Sequence, residues 1–417
     1  MNIIAASIDH TKPCMDRDSY TVFMDHSLNQ LRTQGNYREF IKLERLAGKY
    51  PLALWHSSSG VKEVIVWCAN DYLGMSQHSS VTDAMKMAVD SYGGGAGGTR
   101  NISGTQDVHV ALENEIARLH NKEAGLLFTS GYVANDAILS TLASRLPECV
   151  VLSDQKNHAS MIAGIRNSRV EKHIFAHNNI DDLYKSLKKI DIKRPKIIAV
   201  ESVYSMDGTM ADLPAIADLA KRFNALTYVD EVHAVGLYGF QGGGVSEKYG
   251  ISSEIDIIQG TLGKAFGVMG GYMASSKIIA DFIRSFASGF IFTTALSPVL
   301  AEGALASIRY LRGANKLREQ HQDRASYLKK KLKDANINSL PTDTHIVPII
   351  VGCPKKAKSI GKTLLEESGL YLQVINHPTV PKGTERFRLT PSPLHTENMI
   401  DSLVKCLERE FKRHNVE

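Results

Sequence analysis

Cysteine is scarce in this chain and unpaired by spacing. Cys14, Cys68, Cys149, Cys353 and Cys406 make an odd count of 5 in 417 residues, with no CxxC pair. That argues against a disulfide framework or a zinc site, so no metal is expected, and it fits a reducing compartment. Long apolar runs are also missing, which excludes a membrane span. Residues 1–20 carry Asp9, Asp16 and Asp18. They lack both the apolar core of a signal peptide and the Arg-rich, acid-poor character of a transit peptide, so a cytoplasmic location is expected. The charge excess is small, +5, and the basic residues are scattered. A nucleic-acid partner would show a clustered basic stripe. A mild positive bias suits an anionic substrate and is only weak support for one.

What is present is a globular chain, 43% hydrophobic, long enough for a large domain and a smaller one. Strands alternate with helices from about residue 80 to 300, the pattern of an α/β doubly wound sheet with crevice loops at the strand ends. The expected division is an N-terminal arm with helices over 1–65, a large domain over 66–300 and a smaller α+β domain over 301–417. Leu28, Leu31, Phe40, Leu43 and Leu46 predict helical segments broken near Gly35. A long helix is predicted over 297–332, interrupted near Gly313. Cys353-Pro354 reads as a strand-end turn, or as a thiolate offered to haem.

The chemistry centres on Gly260-Thr-Leu-Gly-Lys-Ala-Phe-Gly267. Lys264 follows an apolar run, Ile255 to Ile258, that reads as a buried strand. An unpaired buried ammonium is costly and tends to lose its proton. A neutral lysine is a nucleophile, used in Schiff bases with carbonyls. The alternative is an exposed loop lysine. The spacing is not that of a Walker A loop, and no Ser or Thr follows Lys264. Upstream, an apolar strand ends in Asp230, with His233 three positions later. Pyridoxal phosphate needs a carboxylate for its ring nitrogen and a lysine for its aldehyde, which Asp230 and Lys264 could supply. Ser130, Gly131 and Tyr132 open a predicted helix, whose N-terminal N–H groups suit a phosphate.

These motifs are collinear with others: N-Y-R-E-F at 36–40, V-W-C-A-N-D-Y-L-G-M at 66–75, G-G-T-R-N-I-S-G-T at 97–105 and N-H-A-S-M-I at 157–162. Further on come E-S-V-Y-S-M-D-G at 201–208, G-F-I-F-T-T at 289–294 and P-T-V-P-K-G-T-E-R-F-R-L-T-P-S-P at 378–393. Together they resemble the α-oxoamine synthases, a branch of the fold-type I pyridoxal-phosphate enzymes, from about Asn36 to the last helix. The resemblance implies an aspartate aminotransferase-like fold. It also implies condensation of an amino acid with an acyl-CoA and loss of carbon dioxide, glycine and succinyl-CoA being the nearest match.

By the same resemblance Lys264 is the cofactor lysine and the base, Asp230 holds the ring nitrogen, His233 reaches the phenolic oxygen and His158 lies over the ring. Ser205 and Thr261 are cofactor contacts. Thr293 and Thr294 reach the phosphate in the other subunit of a homodimer. Arg388 takes the glycine carboxylate near Asn70, and Arg38 the acyl carboxylate. Thr99, Asn101 and Thr379 shape the acyl pocket, and Ser153 and Lys172 contact substrate. Sister enzymes pairing acetyl-CoA with glycine, or longer acyl-CoAs with alanine or serine, remain open. So does a non-catalytic cofactor-binding subunit, although Asp230, His233 and Lys264 together argue against it.

Overall fold

Residues 17–416 are described by a computed structural model. A seven-stranded sheet lies at its centre. The order is Ala124–Phe128, Gly271–Ser275, Ile257–Thr261, Ala225–Asp230, Lys196–Glu201, Val150–Asp154 and Glu171–Phe175. Gly271–Ser275 runs against both neighbours, and the other strands are parallel to one another. Parallel strands covered on both faces need apolar residues at nearly every position. Ile198, Val200 and Val229 face one layer, and Ile197, Ala199 and Tyr228 face the other. Helices Ser79–Tyr92, Asp107–Leu119, Leu213–Arg222 and Pro298–Gly313 cover the first face. Helices Gly131–Arg145, Ala159–Ser168 and Lys277–Phe286 cover the second. This is the doubly wound layering that the alternation predicts.

The polarity of four strands changes at one end. Apolar runs finish in Asp154, Glu201, Asp230 and Thr261, all buried. These carboxyl ends lie side by side, where open α/β sheets bind ligands.

The C-terminal layer packs helices Asn315–Asp334, Pro354–Ser368 and Glu397–Arg413 on a three-stranded sheet, with Arg386–Leu389 between Val347–Ile350 and Val374–Ile375. The predicted long helix does break at Gly313. Two expectations for the N-terminal region differ from the structure. Residues 36–48 do not form a helix: after the helix Arg17–Thr33 the chain extends, and Lys42–Arg45 is a strand paired with Leu52–Ser57. Ile41 and Leu43, two apart, pack on one side while Phe40 is 95% exposed, so the period there is two. Residues 42–66 are also not a separate arm. The strand Gly60–Val66 pairs with Leu370–Tyr371, and Trp67 is buried in the C-terminal core. Cys353 precedes the helix Pro354–Ser368, with proline in its first turn, which fits the turn reading. Cys14, Asp9 and Asp16 lie outside the described residues. Among the described residues no helix is long and apolar enough to cross a membrane, and no cluster of His, Cys, Asp and Glu could hold a metal.

Candidate active site

Lys264 leaves the strand Ile257–Thr261 in a tight loop. The Gly267 N–H donates to the Lys264 carbonyl at 2.8 Å. The Thr261 hydroxyl accepts from the Gly263 N–H at 3.2 Å and donates to the Gly270 carbonyl at 2.9 Å. Thr261 therefore holds the lysine loop. Gly267 has φ 74°, and a Cβ there would lie 2.2 Å from the Ser76 nitrogen, so only glycine fits. The half-buried Lys264 places Nζ 2.8 Å from Nε2 of His233. Withdrawal from water lowers its pKa from 10.5 to about 7; Asp230 opposes this, and the Arg388 guanidinium adds to it. His233 is held well below its ordinary pKa, by burial first and then by the Lys264 charge.

Behind these groups, His233 Nδ1 is 2.7 Å from the Tyr72 hydroxyl, which accepts from Arg388 Nη2 at 2.9 Å. Arg388 Nη2 also donates to Asn70 Oδ1 at 2.7 Å, while its buried Nε has no partner. Asp230 accepts from Asn135 Nδ2 at 2.7 Å and from the Val232 N–H at 2.9 Å. Burial lowers the pKa of His158, opposed by the charge of Asp230. Ser130 caps the helix Gly131–Arg145 by accepting from the Val133 N–H at 3.2 Å. Gly131 borders the site: a Cβ there would be 3.4 Å from Thr261 and from Gln259 Nε2.

One chain thus brings together Lys264, His233, Asp230, His158, Asn70 and Arg388, with the helix start at Ser130, Gly131 and exposed Tyr132. Ser205 lies half-buried in the loop after Lys196–Glu201. Ser153 is buried and accepts from Asn157 Nδ2 at 2.9 Å. Arg38 Nη2 donates to Thr379 Oγ1 at 3.3 Å, so these two acyl-pocket candidates meet. Thr99 bridges Thr294 instead, on another stretch of surface with Asn101 and Thr293. Lys172 is not brought to the lysine. It is exposed near the start of edge strand Glu171–Phe175, and the site lies at the strand ends.

Nothing in the sequence pattern marks Tyr72, Asn135, Ser160 or Glu201 as site residues. Glu201 is the register partner of Asp230 on the adjacent strand and leaves Oε1 buried without a partner. Burial, reinforced by Asp230, pushes its pKa well above the ordinary range. The folded state therefore binds a proton that the unfolded chain releases near the ordinary glutamate pKa, so stability falls as pH rises above that value. Glu201→Gln should leave Tm unchanged near pH 4 (about the unfolded pKa) and raise it progressively from pH 5 upward. Parallel Tm–pH curves for the two proteins would mean that Glu201 is ionised when folded.

Residues 62–407 match the model of the family "Aminotransferase class I and II". The chain is 55% identical to 5-aminolevulinate synthase 1 of Cereibacter sphaeroides over 93% of its own length and 96% of that protein. It is 54% identical to 5-aminolevulinate synthase of Rhizobium meliloti, over 94% of this chain and 97% of that one. The chain belongs to the 5-aminolevulinate synthase family. Among solved structures, a serine palmitoyltransferase of S. paucimobilis with bound PLP superposes with a TM-score of 0.88 at 29% identity, over 96% of this chain and 100% of that chain. An 8-amino-7-oxononanoate synthase from Francisella tularensis gives 0.72 at 26% identity, over 85% and 99%. The residues in this 5-aminolevulinate synthase-family site fit pyridoxal phosphate. A lysine titrating near neutrality, a buried carboxylate at a strand end and a helix N-terminus converge on one crevice.

Proposed function

We propose that the chain condenses glycine with succinyl-CoA to give 5-aminolevulinate, CoA and carbon dioxide. It is an acyltransferase of the 5-aminolevulinate synthase family, and its cofactor is pyridoxal phosphate. When bound, that group supplies an electron sink for the negative charge developing on the glycine Cα. Lys264 would hold it, with Asp230 at the ring nitrogen, His233 at the phenolic oxygen and the helix start at Ser130, Gly131 and Tyr132 at the phosphate. Ser205 lines the same crevice.

The chain's own groups do the rest. Arg388 binds the glycine carboxylate through its unpartnered Nε, while its Nη2 stays on Asn70 and Tyr72. That orients the Cα–H bond toward Lys264 Nζ, which, once freed by the incoming glycine amine, takes the proton as general base. The Cα then bonds to the thioester carbonyl carbon, and the C–S bond breaks to release CoA. The original glycine carboxylate leaves as carbon dioxide, and Lys264 returns a proton to the same carbon. His158 faces the reacting atoms, and Arg38 with Thr379 receives the free carboxylate of the succinyl group. The observation that carries this reading is Lys264 Nζ 2.8 Å from His233 Nε2, with the charges of Asp230 and Arg388 acting on it from the same site.

An assay of glycine against a panel of acyl-CoAs, following CoA release, tests it. Succinyl-CoA should be the best substrate, and Arg38→Leu should lower its kcat/KM by roughly 10-fold or more, the worth of one charged hydrogen bond. Turnover of uncharged butyryl-CoA should be unaffected. Equal losses on both would make Arg38 a packing or CoA-contacting residue.

Two copies are needed to complete the site in this reading. Phe292 is 82% exposed beside Thr293 and Thr294, and Tyr20, Val22, Phe23 and Met24 lie exposed on the helix Arg17–Thr33. Apolar surface on this scale suits a second copy. Mixing Lys264→Ala with a Thr293→Val/Thr294→Val chain should recover about a quarter of wild-type activity, since half the dimers are mixed and hold one intact site. No recovery after demonstrated subunit exchange would place Thr293 and Thr294 outside the partner's site. The 4 described cysteines are all free, which suits work in the cytosol.

A further inference from the structure

We propose that Asn135 and Ser160 are positioning residues that fix the His158 ring in one tautomer, with its Nε2–H turned toward the reacting atoms, and tie it to the Asp230 carboxylate. Asn135 Oδ1 accepts from the Tyr228 hydroxyl at 2.6 Å, which sets the amide's orientation. Its Nδ2 then donates twice, to Asp230 Oδ2 at 2.7 Å and to Ser160 Oγ at 3.0 Å. The opposite orientation would set the amide oxygen against the Asp230 carboxylate. Since Ser160 Oγ accepts from Asn135, its own proton is free for His158 Nδ1, 2.7 Å away. The Ser160 backbone N–H points at the same Nδ1 from 3.3 Å. A proton on Nδ1 would meet that N–H head-on. The neutral ring therefore carries its hydrogen on Nε2.

The local sequence explains how the groups meet. Asn135 lies in the second turn of helix Gly131–Arg145, and Ser160 in the first turn of Ala159–Ser168, which starts at His158. The two helices approach closely at Gly164, where a Cβ would lie 2.8 Å from the Asn135 carbonyl oxygen. Asn135, Ser160, Tyr228 and Asp230 are all buried, so water does not compete for these bonds. Withdrawal from water also keeps the His158 ring neutral, opposed by Asp230. A neutral, aimed N–H is a donor for the thioester oxygen as charge builds there, with no reorganisation required.

This rests on the reading above that His158 faces the reacting carbons, and the tests separate the two. NMR of the protein with isotope-labelled histidine, assigned by its loss in His158→Gln, reports the tautomer directly, with and without cofactor. The expected signals are a protonated Nε2 and an acceptor Nδ1, and in Ser160→Ala and Asn135→Ala they should move toward an averaged pair. An Nδ1–H ring in the wild type overturns the proposal. In turnover, each single variant should lower kcat by about 10-fold with the glycine KM within about twofold, and the double variant should be no worse than the weaker single. Multiplying losses accompanied by an unchanged histidine spectrum would make both residues merely structural. Full kcat in His158→Gln would instead sink the catalytic reading of His158, whatever the tautomer.

Discussion

Lys264→Ala eliminates turnover, lowering kcat by roughly four orders of magnitude, because one side chain serves both as cofactor attachment and as base. Borohydride reduction of the loaded wild type, followed by peptide mapping, should place the label on Lys264, and a label on any other lysine sinks the assignment. The fold survives the substitution and is even stabilised over a defined pH range. The lysine pKa is depressed from 10.5 to about 7 on folding. As pH falls from 10.5 toward 7 the unfolded chain gains a proton that the folded one declines, so the wild type loses stability across that window and levels off below it. The Tm advantage of the cofactor-free variant should therefore be absent at high alkaline pH, grow down to about pH 7 and then stay constant. Capture of pyridoxal phosphate by cofactor-free wild type should show the matching profile, its rate rising with pH through a midpoint near 7 as the neutral amine appears.

The site was legible where one residue type does one job on a regular element. Asp230 closes an apolar strand, Ser130 opens a helix, and Lys264 breaks a glycine-rich turn; each is a local pattern, and each stands where the pattern put it. Partners brought together by packing were not legible. Asn135 reaches Asp230 across 95 positions of sequence, and Tyr72 reaches His233 across 161. Nothing in the local pattern of either residue marks it, since a helix-interior Asn and a loop Tyr look the same with or without a buried partner. The N-terminal misreading has a different cause. Leu28 and Leu31 do sit on the helix Arg17–Thr33, but Phe40, Leu43 and Leu46 have helical spacing by coincidence: Lys42–Arg45 pairs with Leu52–Ser57, and sheet pairing overrode the period. Lys172 rests on the resemblance alone, and it stands exposed near the start of an edge strand.

Arg388→Leu should raise the glycine KM and lower kcat/KM for glycine by roughly 30-fold or more, the loss for truncating one member of a desolvated charge pair being about 2–5 kcal/mol. Phe387 and Leu389 point into the C-terminal core, so alternation turns Arg386 and Arg388 the other way, toward the large domain. Both arginines are buried, yet only one is satisfied. Arg386 donates to Asp207 Oδ1 at 2.6 Å, to the Thr384 carbonyl at 2.9 Å and to the Met206 carbonyl at 3.2 Å, a structural tie between domains. Arg388 spends one nitrogen on Asn70 and Tyr72 and leaves Nε buried and unpaired. A buried guanidinium with an unpaired Nε–H calls for an acceptor, ideally an anionic one, which a substrate carboxylate supplies. Arg388→Lys should fall between wild type and the leucine variant, since an ammonium keeps the charge and loses the fork. Arg386→Lys should lower Tm and leave the glycine KM within a few-fold of wild type. The KM for succinyl-CoA should change little in either Arg388 variant. If Arg386 and Arg388 variants weakened glycine equally, or if Arg388→Leu weakened the acyl-CoA as much as glycine, the carboxylate would have to bind elsewhere.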